Sequence, residues 1–344
     1  MKQVAKPLYT KKQLLLPILF VGALFWGLWN TQPRETTTVY RGETMGTTWS
    51  VTLYGSGSLA LQKGIQDKLD KVNVLMSTYH PDSEVSRFNR HDTTAFSISK
   101  ETYQVLQKSL ELHQASEGAF DVTLSPLITA WGFGFPPTDR FPTDDEITQT
   151  LEYIGTEKLR LTPSSIQKSD PKMQINLSAI AKGYGVDLVA EYLEENQQDN
   201  FLVEVGGEIR TKGKKGTADW LIGIEKPEKE RAGIKEIIKL PDYAMATSGD
   251  YRNYKEKDGV RYSHTLDPRT GKPITHHLAS VTVLAPTCME ADAWATTLTV
   301  VGTEQAITLA EKHHLAIYML EKQETGAFKV IMNQRFEAYL KQEE

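Results

Sequence analysis

The segment YSHTLDPRTG, Tyr262 to Gly271, sets an imidazole, His264, just ahead of a rigid Asp-Pro turn, and EADAWATT, Glu290 to Thr297, follows it closely. Asp292 and Thr296 stand one helical turn apart, so on a helix their oxygens lie on one face and can reach a single ion together. Oxygen ligands suit Mg²⁺, which takes one or two carboxylates and leaves its other positions to water and substrate phosphates. An imidazole with the ordinary pKa of about 6.5 is suited to accept a proton beside such an ion at neutral pH. The spacing also suits a plainer arrangement, in which Asp292 caps the helix running through WATTLTVVG. Spacing alone leaves both open.

Further segments carry chemistry of the same kind. In INLSAIAKGYGVDLV an extended run passes into a helix near Asn176 to Ser178, placing Lys182 in the first turns, where free N–H groups and the helix dipole attract anions. Lys182 there either holds a pyrophosphate as a point charge or faces solvent. FLVEVGGEIRTKG places Gly206 and Gly207 after a strand but lacks the GK[ST] of a phosphate-binding loop, so a turn or bulge is the better reading. GAFDVTLSPLITAWGFG sets Asp121 among apolar and aromatic residues, where a flat ring system can stack or the Asp can simply close a turn.

These residues must be positioned by a mixed set of elements. TTVYRGETMGTTWSVTLYG predicts two strands around a Gly-containing turn, and Leu61, Ile65, Leu69, Val72 and Leu75 then recur at helical spacing. A second helix is expected from Lys100 to Glu117, and others over AIAKGYGVDLVAEYLEEN, ADAWATTLTVVG and EQAITLAEKHH. Strands are expected at KLRLT, MQINL, FLVEV, WLIGI, EIIKL, SVTVLA, LAIYML and FKVIM. Successive strands with short links favour antiparallel pairing, so the fold class is α+β, a mostly antiparallel sheet core with packed helices. WGFGFPPTDRFPTDDE, Trp131 to Glu146, reads as a long loop, either a lid over a site or an irregular surface excursion.

Composition narrows the function classes. A formal net charge of -5 supplies no broad basic surface, which argues against nucleic acid as a partner. The one cysteine, Cys288, has no intramolecular disulfide partner and is expected to be a small buried residue. At the N-terminus, lysines precede the apolar run Leu14 to Trp29, which as a helix extends roughly 24 Å against a bilayer core of about 30 Å. Without a small-x-small cleavage site after it, the run predicts an uncleaved anchor whose lysine-rich tip stays cytoplasmic. The expected organisation is residues 1–36 as tip, anchor and short linker, and 37–344 as a catalytic domain outside the cytoplasm.

The ordered set ETMGTTWSV, MSTYHPDSEVSRFN, GAFDVTLSPLI with WGFG, INLSAIAKGYGVD, VEVGGEIRTKG, ATSGDYRNY, YSHTLDPRTG and MEADAWATTL closely resembles the ApbE family, the FAD:protein FMN transferases, from Thr44 to Gly302. The resemblance implies an ApbE/T-fold-like domain that cleaves FAD at its pyrophosphate with Mg²⁺. It joins FMN by a phosphoester to a Thr or Ser hydroxyl of a target flavoprotein, releasing AMP. Implied acceptors are subunits of membrane redox pumps, of the Na⁺-translocating NADH:quinone reductase or Rnf type, and the implied location is the periplasmic side of a bacterial inner membrane. Met45, Tyr79, Ala119, Phe120, Asp121, Asn176, Lys182 and Leu266 match flavin-binding positions. Ala179 (through its carbonyl), Asp292, Ala295 and Thr296 match metal positions, and His264 matches the catalytic base. The chain departs from the family at Asn176, where many members carry Asp, and at Ala295, where some carry a second acid. Two other readings are an FAD pyrophosphatase that releases FMN and AMP without an acceptor, and a flavin-binding maturation protein without turnover.

Overall fold

The first hairpin, β1 (Thr37–Thr44) and β2 (Thr47–Tyr54), turns at Met45 and Gly46, both in the left-handed region at φ 47° and 71°. Two such residues give the turn the twist that its flanking strands need. TTWSVTLY alternates as a half-buried strand should, burying Trp49, Val51 and Leu53. The computed structural model describes residues 37–225, 234–249, 254–257 and 260–340, so the expected anchor within 1–36 and part of the ATSGDYRNY motif lie outside the described residues. Among the described residues no helix is long and apolar enough to cross a membrane.

Six more strands complete the main sheet: β3 (Phe201–Val205), β4 (Glu208–Lys212), β5 (Ala244–Gly249), β6 (Leu278–Ala285), β7 (Ala316–Lys322) and β8 (Phe328–Met332). Their spatial order follows the chain from β1 to β8, every neighbouring pair antiparallel. One face is covered by helices α1 (Leu59–Met76), α3 (Ala181–Glu195), α4 (Cys288–Val301) and α5 (Thr303–Lys312), while α2 (Lys100–Ala115) packs on α1 and α4. Apolar residues at helical spacing on α1, Leu61, Ile65, Leu69, Val72 and Met76, supply the buried stripe that holds it there. The other face is covered by a hairpin, Leu221–Glu225 with Ile234–Lys239, and the short helix Gln334–Glu337, packed on Tyr318 and Leu320. β6 lies between the two layers, and all eight of its residues are buried. The expected α+β class and large antiparallel sheet are therefore observed.

Two expectations are corrected, and one strand was not foreseen. MQINL forms no ladder strand; the Asn89 side chain brackets Ile175 instead, its Nδ2 donating to the Ile175 carbonyl at 2.9 Å and its Oδ1 accepting the Ile175 N–H at 2.8 Å. One amide side chain thus replaces a neighbouring strand. The strand β5, AMATSG, was not among the expected strands: Thr247 is its one β-branched residue, and its small residues let α4 approach, with Ala246, Ala285 and Ala291 in one cluster. The loop from Trp131 ends early, because Thr143 and Glu146 form a reciprocal capping box that starts the helix Asp144–Leu151.

Candidate active site

The site is built where the first turns of α3 and α4 meet. Gly183 permits the contact: a Cβ there would lie 2.3 Å from the Cys288 carbonyl oxygen and 2.8 Å from the Asp292 Cβ. Gly183→Ala is accordingly expected to cost about 3 kcal/mol, because the clash is with backbone and overpacked sites relax poorly; the shift of the urea midpoint at unchanged slope measures it.

The start of α4 is fixed from outside the helix. Asp187 of α3 accepts the N–H groups of Cys288 at 2.9 Å and Met289 at 2.8 Å, and pairs with Arg210 Nη1 at 2.8 Å. Thr287 takes the cap itself, accepting the Glu290 N–H at 3.3 Å. Burial pushes the Asp187 carboxyl up, while Arg210 and the two backbone donors oppose that rise. Asp187→Ala removes the nearer carboxylate of Arg210, leaving it Glu194 at 3.6 Å, and leaves two helix-end donors unpaired, so a loss of about 3 kcal/mol is expected in the same unfolding experiment.

With Thr287 as the cap, Asp292 lies inside α4 and does not cap it. It is 5% exposed; its Oδ2 accepts the Gly183 N–H at 2.9 Å, and its Oδ1 lies 3.7 Å from Lys182 Nζ. Lys182 Nζ is in turn 2.9 Å from Glu208 Oε1, at the start of β4. Gly206 and Gly207, both at positive φ, form the turn that delivers Glu208 here. Burial works against the charge on Lys182, but Asp292 and Glu208 outweigh it and hold the ammonium protonated. Burial pushes the Glu208 carboxyl up to about 7, Asp292 adding to the rise and Lys182 opposing it. Lys182 is thus an ion-paired member of the cluster, whereas its spacing had equally allowed a solvent-facing side chain.

One turn beyond Asp292 on the same face, Thr296 is half-buried and its hydroxyl has no partner among the described residues. The neighbouring Thr297 and Thr299 hydroxyls bond back to the carbonyls of Ala293 and Ala295 at 2.7 and 2.8 Å. Ala295 therefore fits poorly as a metal position: it is 1% exposed, has no side-chain oxygen, and its carbonyl already accepts the Thr299 hydroxyl. Ala179 lies in the turn before α3, half-buried against the main core. A buried carboxylate, and a hydroxyl and the Glu208 Oε2 that have no partner among the described residues, offer an all-oxygen donor set, which fits a hard divalent cation.

The expected flavin positions come together in two groups. The Asn176 N–H donates to the Val122 carbonyl at 2.7 Å, joining INLSA to GAFDV, and its Oδ1 accepts the Ser178 N–H at 2.9 Å. Ala119 and Phe120 are buried. The Asp121 Oδ1 accepts from Thr123 N and Oγ1, both at 2.6 Å, and from Thr156 Oγ1 at 2.8 Å, while Oδ2 accepts the Thr156 N–H at 3.0 Å and lies 3.5 Å from His113 Nδ1. The carboxylate thus closes a turn, and Oδ2 keeps accepting capacity beside His113. Met45, in the left-handed hairpin turn, packs toward Gly185 of α3.

The second group surrounds His264. The short strands Leu266–Asp267 and Lys272–Pro273 pair, α4 packs against the first of them, and buried Leu266 joins a cluster with Leu127, Trp131, Ile147 and Ile154. His264, half-buried, meets the Phe133 ring edge-on at 6.4 Å between centroids. Trp131 Nε1 donates to the Gly271 carbonyl at 2.8 Å, tying WGFG to HTLDPRTG. Tyr79 is 66% exposed and edge-on to Phe135 at 5.8 Å, itself 70% exposed. Sequence reasoning missed Phe135 and Glu208; the only signal for each was its place in a quoted motif region.

The ApbE family profile matches residues 45–319. A Vibrio cholerae protein, "FAD:protein FMN transferase", is 44% identical over 306 residues, covering 87% of this chain and 91% of that one. A Haemophilus influenzae protein of the same description is 43% identical over 300 residues, covering 83% and 86%. Among solved structures, the flavin transferase ApbE from Vibrio cholerae superposes with a TM-score of 0.81 at 42% identity over 89% of this chain and 99% of that one. The flavinyl transferase ApbE of Pseudomonas stutzeri, apo form, superposes at 0.82 and 34% identity over 88% and 96%.

Proposed function

Because this chain belongs to the ApbE family and is an FAD:protein FMN transferase, we propose that it works through the paired first turns of α3 and α4 as a Mg²⁺-dependent phosphoryl-transfer site. The observation that carries this reading is the buried trio of Lys182, Glu208 and Asp292, with Thr296, whose hydroxyl has no partner among the described residues, one helical turn beyond Asp292. Asp292, Thr296 and the Ala179 carbonyl hold the ion, and Ala295 takes no part through a side chain. When bound, Mg²⁺ neutralises pyrophosphate charge and stabilises the leaving AMP.

The chain's own residues supply the remainder. Lys182, kept protonated, faces the pyrophosphate as a point charge at the N-terminus of α3, where the dipole also favours anions. His264 accepts the proton of the acceptor hydroxyl as that oxygen attacks the FMN phosphorus. The new P–O bond joins FMN to Thr or Ser, the bridging P–O bond breaks, and AMP leaves with the bridging oxygen. Met45, Tyr79, the GAFD backbone, Asn176 and Leu266 hold the flavin, and the aromatic segment around Phe133 and Phe135 keeps water from the phosphorus. We further place residues 37–344 on the periplasmic side of a bacterial inner membrane, tethered by the lysine-flanked apolar run within 1–36. The acceptor is a subunit of a Na⁺-translocating NADH:quinone reductase or Rnf-type pump. Product analysis separates this from an FAD pyrophosphatase: AMP release should require the acceptor polypeptide, and release at the same rate without it would contradict the reading.

A further inference from the structure

Asn176 and Ala295 leave the cation with one anionic side chain from the matched positions, Asp292. Glu208 offers another. It is 3% exposed; one oxygen contacts Lys182 Nζ at 2.9 Å, and the other, Oε2, is buried without a partner among the described residues. The same ammonium lies 3.7 Å from Asp292, so both carboxylates converge on one point. Two carboxylates against one ammonium leave a negative charge out of water, which either a proton on Glu208 or a further cation compensates.

We propose that Glu208 is a ligand of the divalent-cation site, its Oε2 taking the second anionic contact, and that Lys182 is the cation which holds the two carboxylates together until a metal competes for them. This rests on the metal reading given above for Asp292. It also gives Lys182 two positions, one on Glu208 and one on the substrate phosphate, because a cation on Glu208 Oε2 weakens the hold of that carboxylate on the lysine.

The test is Mn²⁺ binding to the full chain, without FAD, followed by electron paramagnetic resonance of the free ion. Glu208→Gln keeps the shape and the lysine contact while removing the charge, and should weaken Mn²⁺ binding by at least about tenfold, the scale on which even indirect support of a metal site is felt. Lys182→Met should strengthen binding, since a competing charge is gone. Wild-type affinity in Glu208→Gln, or weaker binding in Lys182→Met, would overturn the proposal; if Glu208→Gln fails to fold, the Lys182 variant decides. Asp292→Asn serves as the separate control: if it binds Mn²⁺ like wild type, the metal reading itself fails, whatever Glu208 does.

Discussion

Asp292→Asn is expected to lower kcat/KM for FMN transfer by about a thousandfold, equivalent to roughly 4 kcal/mol of lost transition-state stabilisation. An Asn side-chain oxygen still accepts the Gly183 N–H, so the close packing of α3 on α4 keeps its hydrogen bond. What is lost is the charge. Lys182 then faces Glu208 alone, and the cation loses the carboxylate that shares a helix face with Thr296. A loss of transfer with an unchanged unfolding midpoint assigns the effect to chemistry; a parallel loss of folding would assign it to the α3–α4 contact.

His264→Ala should lower kcat by 10²- to 10⁴-fold, the range attributed to a positioned general base, while FAD affinity stays within a fewfold of wild type. The structure separates these effects because Leu266, two residues on, is the buried member of the pair and carries the packing. His264 is half-buried and contacts the edge of Phe133, so its removal opens no large core cavity. Rapid-mixing measurement of the covalent step, with equilibrium titration of FAD by flavin fluorescence, reads the two quantities independently. Unchanged labelling by the Ala variant would remove His264 from the role of base.

The sequence carried the periodic elements well, because their burial is periodic. Alternation in TTWSVTLY and the helical stripe Leu61, Ile65, Leu69 and Val72 follow from one-sided packing against a core and appear as read, while the last turn buries Met76 in place of the expected Leu75. AMATSG was passed over and MQINL misread because their structure is decided by partners far away: the first by a helix that needs small residues beneath it, the second by a single Asn side chain. The candidate site shows the same division. Asp292, Thr296 and Lys182 could be picked out from helical spacing and a helix start, since those are local relations. Glu208 could not, because only the Gly206–Gly207 turn and strand order bring it to Lys182 from another part of the sheet. Asp121 illustrates how local and distant relations combine: Thr123 closes its turn from two residues on, and Thr156 reaches it from far along the chain, a contact no local pattern announces.

The account stands most directly on the fate of the two halves of FAD. The protein, Mg²⁺ and a folded acceptor fragment with a single reactive threonine should be incubated with FAD, and the denatured acceptor analysed by mass spectrometry alongside nucleotide quantification. The expected result is an acceptor carrying FMN as a phosphoester on that threonine, with one AMP released per label and neither product formed when the threonine is replaced by Val. Free FMN and AMP accumulating in equal amounts while the acceptor stays unmodified would contradict it.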